Sequence, residues 1–106
     1  MARTAVLAIA LGVWPWVAAG AEPAAARQAE LLHLLEHDCG SGHGLTREGG
    51  LGPPLLPGDL DGKDVPIIAL VILEGVHGTP MPPWKSELSD EDAVWLAAQL
   101  KRGYVP

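Results

Sequence analysis

The chain predicts an all-α fold of three main helices joined by long glycine- and proline-rich loops. Three observations carry this. Leucines recur at helical spacing in the first third, at Leu31, Leu32, Leu34 and Leu35. The last segment has a helix start at Ser89 and a stop at Gly103. Glycine and proline together make 23 of the 106 residues (13 Gly, 10 Pro), so much of the backbone between helices must be loop.

Before the first helix lies a segment of another kind. Met1-Ala2-Arg3 is a short basic start, and Thr4 to Val13 is almost wholly apolar. Ala19-Gly20-Ala21 has the small-x-small form cut by signal peptidase. Residues 1–21 therefore read as a signal peptide and 22–106 as one exported domain. The apolar run is interrupted by Pro15 and falls short of the roughly 18 residues that a membrane span needs, which disfavours a retained anchor.

Residues 24–37 read as the first helix, with Arg27, Gln28, Glu30 and Glu36 outside its apolar stripe. Gly40 is expected to stop it, leaving Cys39 at or just past the last turn. His33 and His37 are four apart on its polar side, where solvated histidines are the simplest reading. From Gly40 to Gly62 glycines and Pro53-Pro54 mark an ordered loop. It holds Leu45, Leu51, Leu55, Leu56 and Leu60, too many for a flexible linker, so packing against something apolar is expected. Asp64 to Gly75 carries the run Ile67, Ile68, Leu70, Val71, Ile72, Leu73. A β-branched run suits strand or helix, and the start signals Asp64 and Pro66 favour helix. The last helix opens on Ser89-Asp90-Glu91-Asp92, an N-cap with carboxylates in the first turn. Ala93, Leu96, Ala97 and Leu100 form its apolar face, with Trp95 flanking it.

Without residues 1–21 the chain keeps six basic and all thirteen acidic groups, a net charge of −7. That excludes non-specific nucleic-acid binding and suits encounter with a partner bearing a positive patch. The domain has no Phe, one Tyr and, after cleavage, only Trp84 and Trp95. Small exported domains offset so thin a core with disulfides, a metal or a cofactor, and a single cysteine closes no internal disulfide. Something else must fill the middle.

Two stretches suggest what. Asp38-Cys39-Gly40-Ser41-Gly42-His43 is most of a C-x-x-C-H haem-attachment site, with Gly42 at the second cysteine position. In Gly78-Thr79-Pro80-Met81-Pro82-Pro83-Trp84, three prolines stiffen the backbone around one methionine. A core methionine needs no such scaffold, since its usual value is flexibility, so Met81 reads as a ligand.

In this order and spacing, with Met81 lying 38 residues beyond His43, the chain resembles a class I cytochrome c from first helix to last. The likeness is closest to the small periplasmic cytochromes c encoded with nitrite reductase in denitrifying bacteria. It lies in Gly44-Leu45-Thr46-Arg47 through Gly52-Pro53-Pro54-Leu55 and in the Met81 loop. The resemblance implies one haem c, with His43 and Met81 as axial iron ligands and Cys39 as a single thioether. It implies that the Pro53 carbonyl accepts a hydrogen bond from the His43 imidazole, and that Trp95 lies where first and last helices cross. It further implies an electron carrier rather than an enzyme, periplasmic, serving nitrite respiration, with nitrite reductase or its maturation apparatus as redox partner and no stable membrane insertion.

Two other readings stand beside it. One is a haem-binding or haem-handling accessory module for nitrite reductase maturation, with weak or absent covalent attachment. The other is a copper or thiol protein using Cys39, His37, His43 and Met81. An unattached Cys39 would also be free to pair two chains in an oxidising compartment.

Overall fold

The computed structural model describes residues 3–5, 12 and 22–105. The expected signal segment lies outside these residues, apart from Arg3, Thr4, Ala5 and Gly12. Among the described residues there is no strand, and no helix is long and apolar enough to cross a membrane.

The first helical path is longer than its residues announce. Helix α1 spans Ala25–Leu34, a single π turn follows at Leu35–Cys39, and helix α2 spans Gly40–His43. The backbone stays right-handed throughout, with φ, ψ of −57°, −46° at Leu35, −65°, −40° at Cys39 and −62°, −29° at Gly40. The expectation that Gly40 stops the helix is therefore corrected. Gly40 is buried, and a Cβ there would stand 3.4 Å from both Cα and Cδ2 of Leu45. Its smallness lets the returning chain pack close. The stop falls at Gly44, where φ is 91°. Cys39 and His43 consequently both ride on helix.

After a 3₁₀ turn at Pro57–Leu60, helix α3 spans Val65–Glu74, with Asp64 extended before it and Pro66 in its first turn. Helix α4 spans Asp90–Arg102. Ser89 Oγ accepts from the Asp92 amide and the Ser89 amide donates to Asp92 Oδ2, both at 3.1 Å, a reciprocal cap. At its other end Gly103 is left-handed and the Tyr104 amide donates to the Gln99 carbonyl at 3.1 Å.

The core lies where α3 packs on α4 and α1 crosses it. Leu31 and Leu35 come from the first helical path and Ile68, Ala69 and Ile72 from α3. Ala93, Trp95, Leu96, Ala97 and Leu100 come from α4, joined by Leu60 and Leu88. Leu31 and Leu96 are wholly buried; truncating either to alanine is expected to cost roughly 2–5 kcal/mol. One ion pair fixes the crossing. Arg27 Nη2 donates to Asp92 Oδ2 at 2.9 Å, 65 residues away, and to the Glu87 carbonyl at 3.0 Å. Burial alone would raise the Asp92 carboxyl, but hydrogen bonds from Arg27 and Ser89 outweigh it and hold it below its ordinary 3.8.

The leucine-rich loop only partly meets its expectation. Leu60 is buried and Leu55 packs against the core. Leu45, Leu51 and Leu56 stay 65%, 82% and 40% exposed.

Candidate functional site

His43 is the most thoroughly positioned side chain of the site. Its ring Nδ1 lies 2.7 Å from the Pro53 carbonyl oxygen. A carbonyl can only accept, so Nδ1 carries a proton, and in the neutral ring the lone pair is left on Nε2. Backbone bonds build the cradle. The Gly49 amide donates to the His43 carbonyl at 2.9 Å, and the Gly52 amide to the Gly42 carbonyl at 2.6 Å. Gly52 lies flat against the imidazole, where a Cβ would stand 2.8 Å from Cε1 and Nδ1. Exposed Leu51 adjoins it.

Met81 stands on a separate support. The last carbonyls of α3 have no partner within the helix, and the Met81 segment supplies partners from outside. The Trp84 amide donates to Ile72 and the Lys85 amide to Leu73, at 3.1 and 3.2 Å. Within the loop, Thr79 Oγ1 donates to the Val76 carbonyl at 2.7 Å and accepts from the Met81 amide at 3.3 Å. The Val76 amide closes the ring on the Met81 carbonyl at 3.2 Å. Met81 itself is half-buried. Along α3, Ile67, Leu70 and Val71 form an exposed apolar face opposite the residues packed on α4.

Cys39 packs partly against the core. Burial, reinforced by the charge of Asp38, pushes its thiol up to about 11, so it is protonated at neutral pH and a slow partner for intermolecular disulfide exchange. Gly42 has helical backbone and nothing within 4 Å of where a Cβ would stand. Neither conformation nor packing demands glycine there. His33 and His37 are exposed, their rings 4.3 Å apart. Among the described residues no three His, Cys, Asp or Glu side chains converge on a point, which weakens the copper reading of Cys39, His37 and His43. Sequence reasoning missed Arg47, which is 6% exposed; an arginine in a glycine-rich loop gives no local sign of burial.

Comparison with known proteins puts a family to this arrangement. The profile described as cytochrome C oxidase, cbb3-type, subunit III matches residues 26–100, from α1 into α4. The chain belongs to this family of small class I c-type cytochromes, whose cofactor is haem c. Among individual relatives it is similar to cytochrome c55X of Paracoccus denitrificans, 47% identical over 94% of each chain. It is also similar to cytochrome c55X of Pseudomonas aeruginosa, 51% identical over 78% of this chain and 70% of that one. Of solved structures, c-type cytochrome NirC superposes with a TM-score of 0.74 at 52% identity, over 76% of this chain and 95% of that one. Dihydro-heme d1 dehydrogenase NirN superposes with 0.63 at 34% identity, over 69% of this chain but only 16% of that one.

Proposed function

We propose that residues 22–106 form an exported, periplasmic single-haem electron carrier, with iron held between His43 Nε2 and Met81 and one thioether at Cys39. The observation that supports this most is the 2.7 Å contact of His43 Nδ1 with Pro53, which frees Nε2 and fixes the ring plane. The exposed leucines 45 and 51 and the apolar face of α3 provide the dry surface a macrocycle would cover. Haem c supplies one reversible electron. His43 and Met81 would hold the iron without leaving a place for a substrate, and the Met81 thioether would favour the reduced state. This is electron transfer, not catalysis.

Nitrite respiration is the proposed setting, with nitrite reductase or its maturation apparatus as redox partner. Its support is the likeness to cytochrome c55X, NirC and part of NirN. The haem-handling alternative draws on one specific observation: neither packing nor backbone conformation calls for glycine at Gly42, which stands where a second thioether cysteine would. Mass spectrometry and spectroscopy of the exported protein test both. A carrier gains one haem mass that survives acid-acetone, starts at Glu22, and shows sharp reduced bands with a reversible one-electron titration. Acid-extractable, substoichiometric haem would favour the handling module, and a colourless chain would end both readings.

A further inference from the structure

Arg47 lies four residues beyond His43 and has the one positive φ, 61°, among the described non-glycine residues. Such a backbone costs free energy for any residue with a Cβ and persists only where its surroundings enforce it. Here they do. The Arg47 amide donates to the Gly44 carbonyl at 2.8 Å, and its carbonyl accepts from the Leu55 amide at 2.9 Å. Nη2 donates to the Tyr104 carbonyl at 2.8 Å, just past α4, and the guanidinium lies 5.4 Å from the Tyr104 ring centroid. Nη1 is buried with no hydrogen-bond partner. No carboxylate pairs with Arg47 among the described residues.

For stability alone this is a poor choice. Leu45, Leu55, Leu56 and Leu100 line a 460 Å³ pocket beside it, an apolar setting in which an uncharged side chain would bury no unpaired cation. What the guanidinium adds is direction: a charge-assisted hydrogen bond to one carbonyl at the end of α4. The two backbone bonds of Arg47 bracket the loop that delivers Pro53, which stands two residues before Leu55. We infer that Arg47 is a positioning residue for His43, locking the loop to α4 so that the Pro53 carbonyl stays on Nδ1. This rests on the reading of His43 as the iron ligand.

The test follows the His43 Nδ1 proton by NMR in the reduced, haem-loaded protein. Arg47→Met should speed its exchange with solvent about tenfold, the effect of losing one hydrogen bond's net contribution. Arg47→Lys, which keeps a cationic donor, should lie nearer wild type. Ending the chain after Gly103 removes the acceptor while keeping every residue of the loop and should match Arg47→Met, which keeps the test decisive if Arg47→Met does not fold. Arg27→Met, loosening the far end of α4, should leave the exchange unchanged. Wild-type exchange in Arg47→Met, or equal acceleration in Arg27→Met, overturns the inference. A colourless wild type would sink the haem reading alone; the inference is then read from the ¹⁵N tautomer populations of His43 in the metal-free chain. A loss of the Nδ1–H preference in Arg47→Met sustains it there, and an unchanged preference ends it.

Discussion

The loop around His43 and the loop around Met81 hold one candidate ligand each, by opposite means. The first is glycine-rich and tight: bare backbone presses on the imidazole, and a carbonyl fixes its proton. The second is proline-rich and braced from outside, hung on the end carbonyls of α3 and tied within by Thr79. An imidazole has two working nitrogens, so its support must also choose the tautomer. A thioether has no proton to place, so stiffness is enough.

The sharpest way to break this contrast is at Gly75, in the braced loop. Its φ is 65°, and a Cβ would stand 2.7–2.8 Å from Met81 O, Pro82 C and Pro83 N. These are backbone atoms with little room to yield, so Gly75→Ala should cost about 3 kcal/mol in urea unfolding. A loss under about 1 kcal/mol would show the loop to be soft and not braced.

Next in size is a titration that only the His43 side carries. The Cys39 thiol, raised by burial from 9.0 to about 11, stabilises the haem-free chain fully below about pH 9. That contribution, of order 2 kcal/mol, erodes as pH climbs through 11, because the unfolded thiol gives up its proton first. Cys39→Ala should flatten the difference, and a thioether-linked chain should lack it. Parallel stability curves for wild type and Cys39→Ala from pH 8 to 11 would contradict the buried thiol.

Gly52→Ala should be milder for the fold and harsher for the site. The crowded atoms belong to a ring that can turn, at a cost of about 1–2 kcal/mol for the lost Pro53 bond. The low-spin haem spectrum should then fail while the helical circular dichroism holds. The smallest effect belongs to Gly42→Ala, which meets open space on helical backbone and should stabilise by about 0.5 kcal/mol.

Much of the helical frame was legible because it is local. Ser89, Gly103, Pro66 and Gly75 mark helix ends through chemistry confined to a few residues, and the α4 face is buried as its spacing predicts. Gly40 misled because glycine serves two purposes, positive φ and close approach, and sequence alone does not say which. The π turn at Leu35–Cys39 has no composition of its own. Arg27–Asp92 and Arg47–Tyr104 join residues 65 and 57 apart, beyond any periodicity. At the site the candidate residues could be named, while the direction in which each one points came only with the fold.

The clasp between Arg27 and Asp92 has a consequence for assembly. The helix bearing Cys39 and His43 is made early, yet Leu31 and Leu35 gain their cover only when α4, made last, arrives to meet them. The stretch from Cys39 to His43 is thus laid down before the closing helix that its own helical path packs against exists.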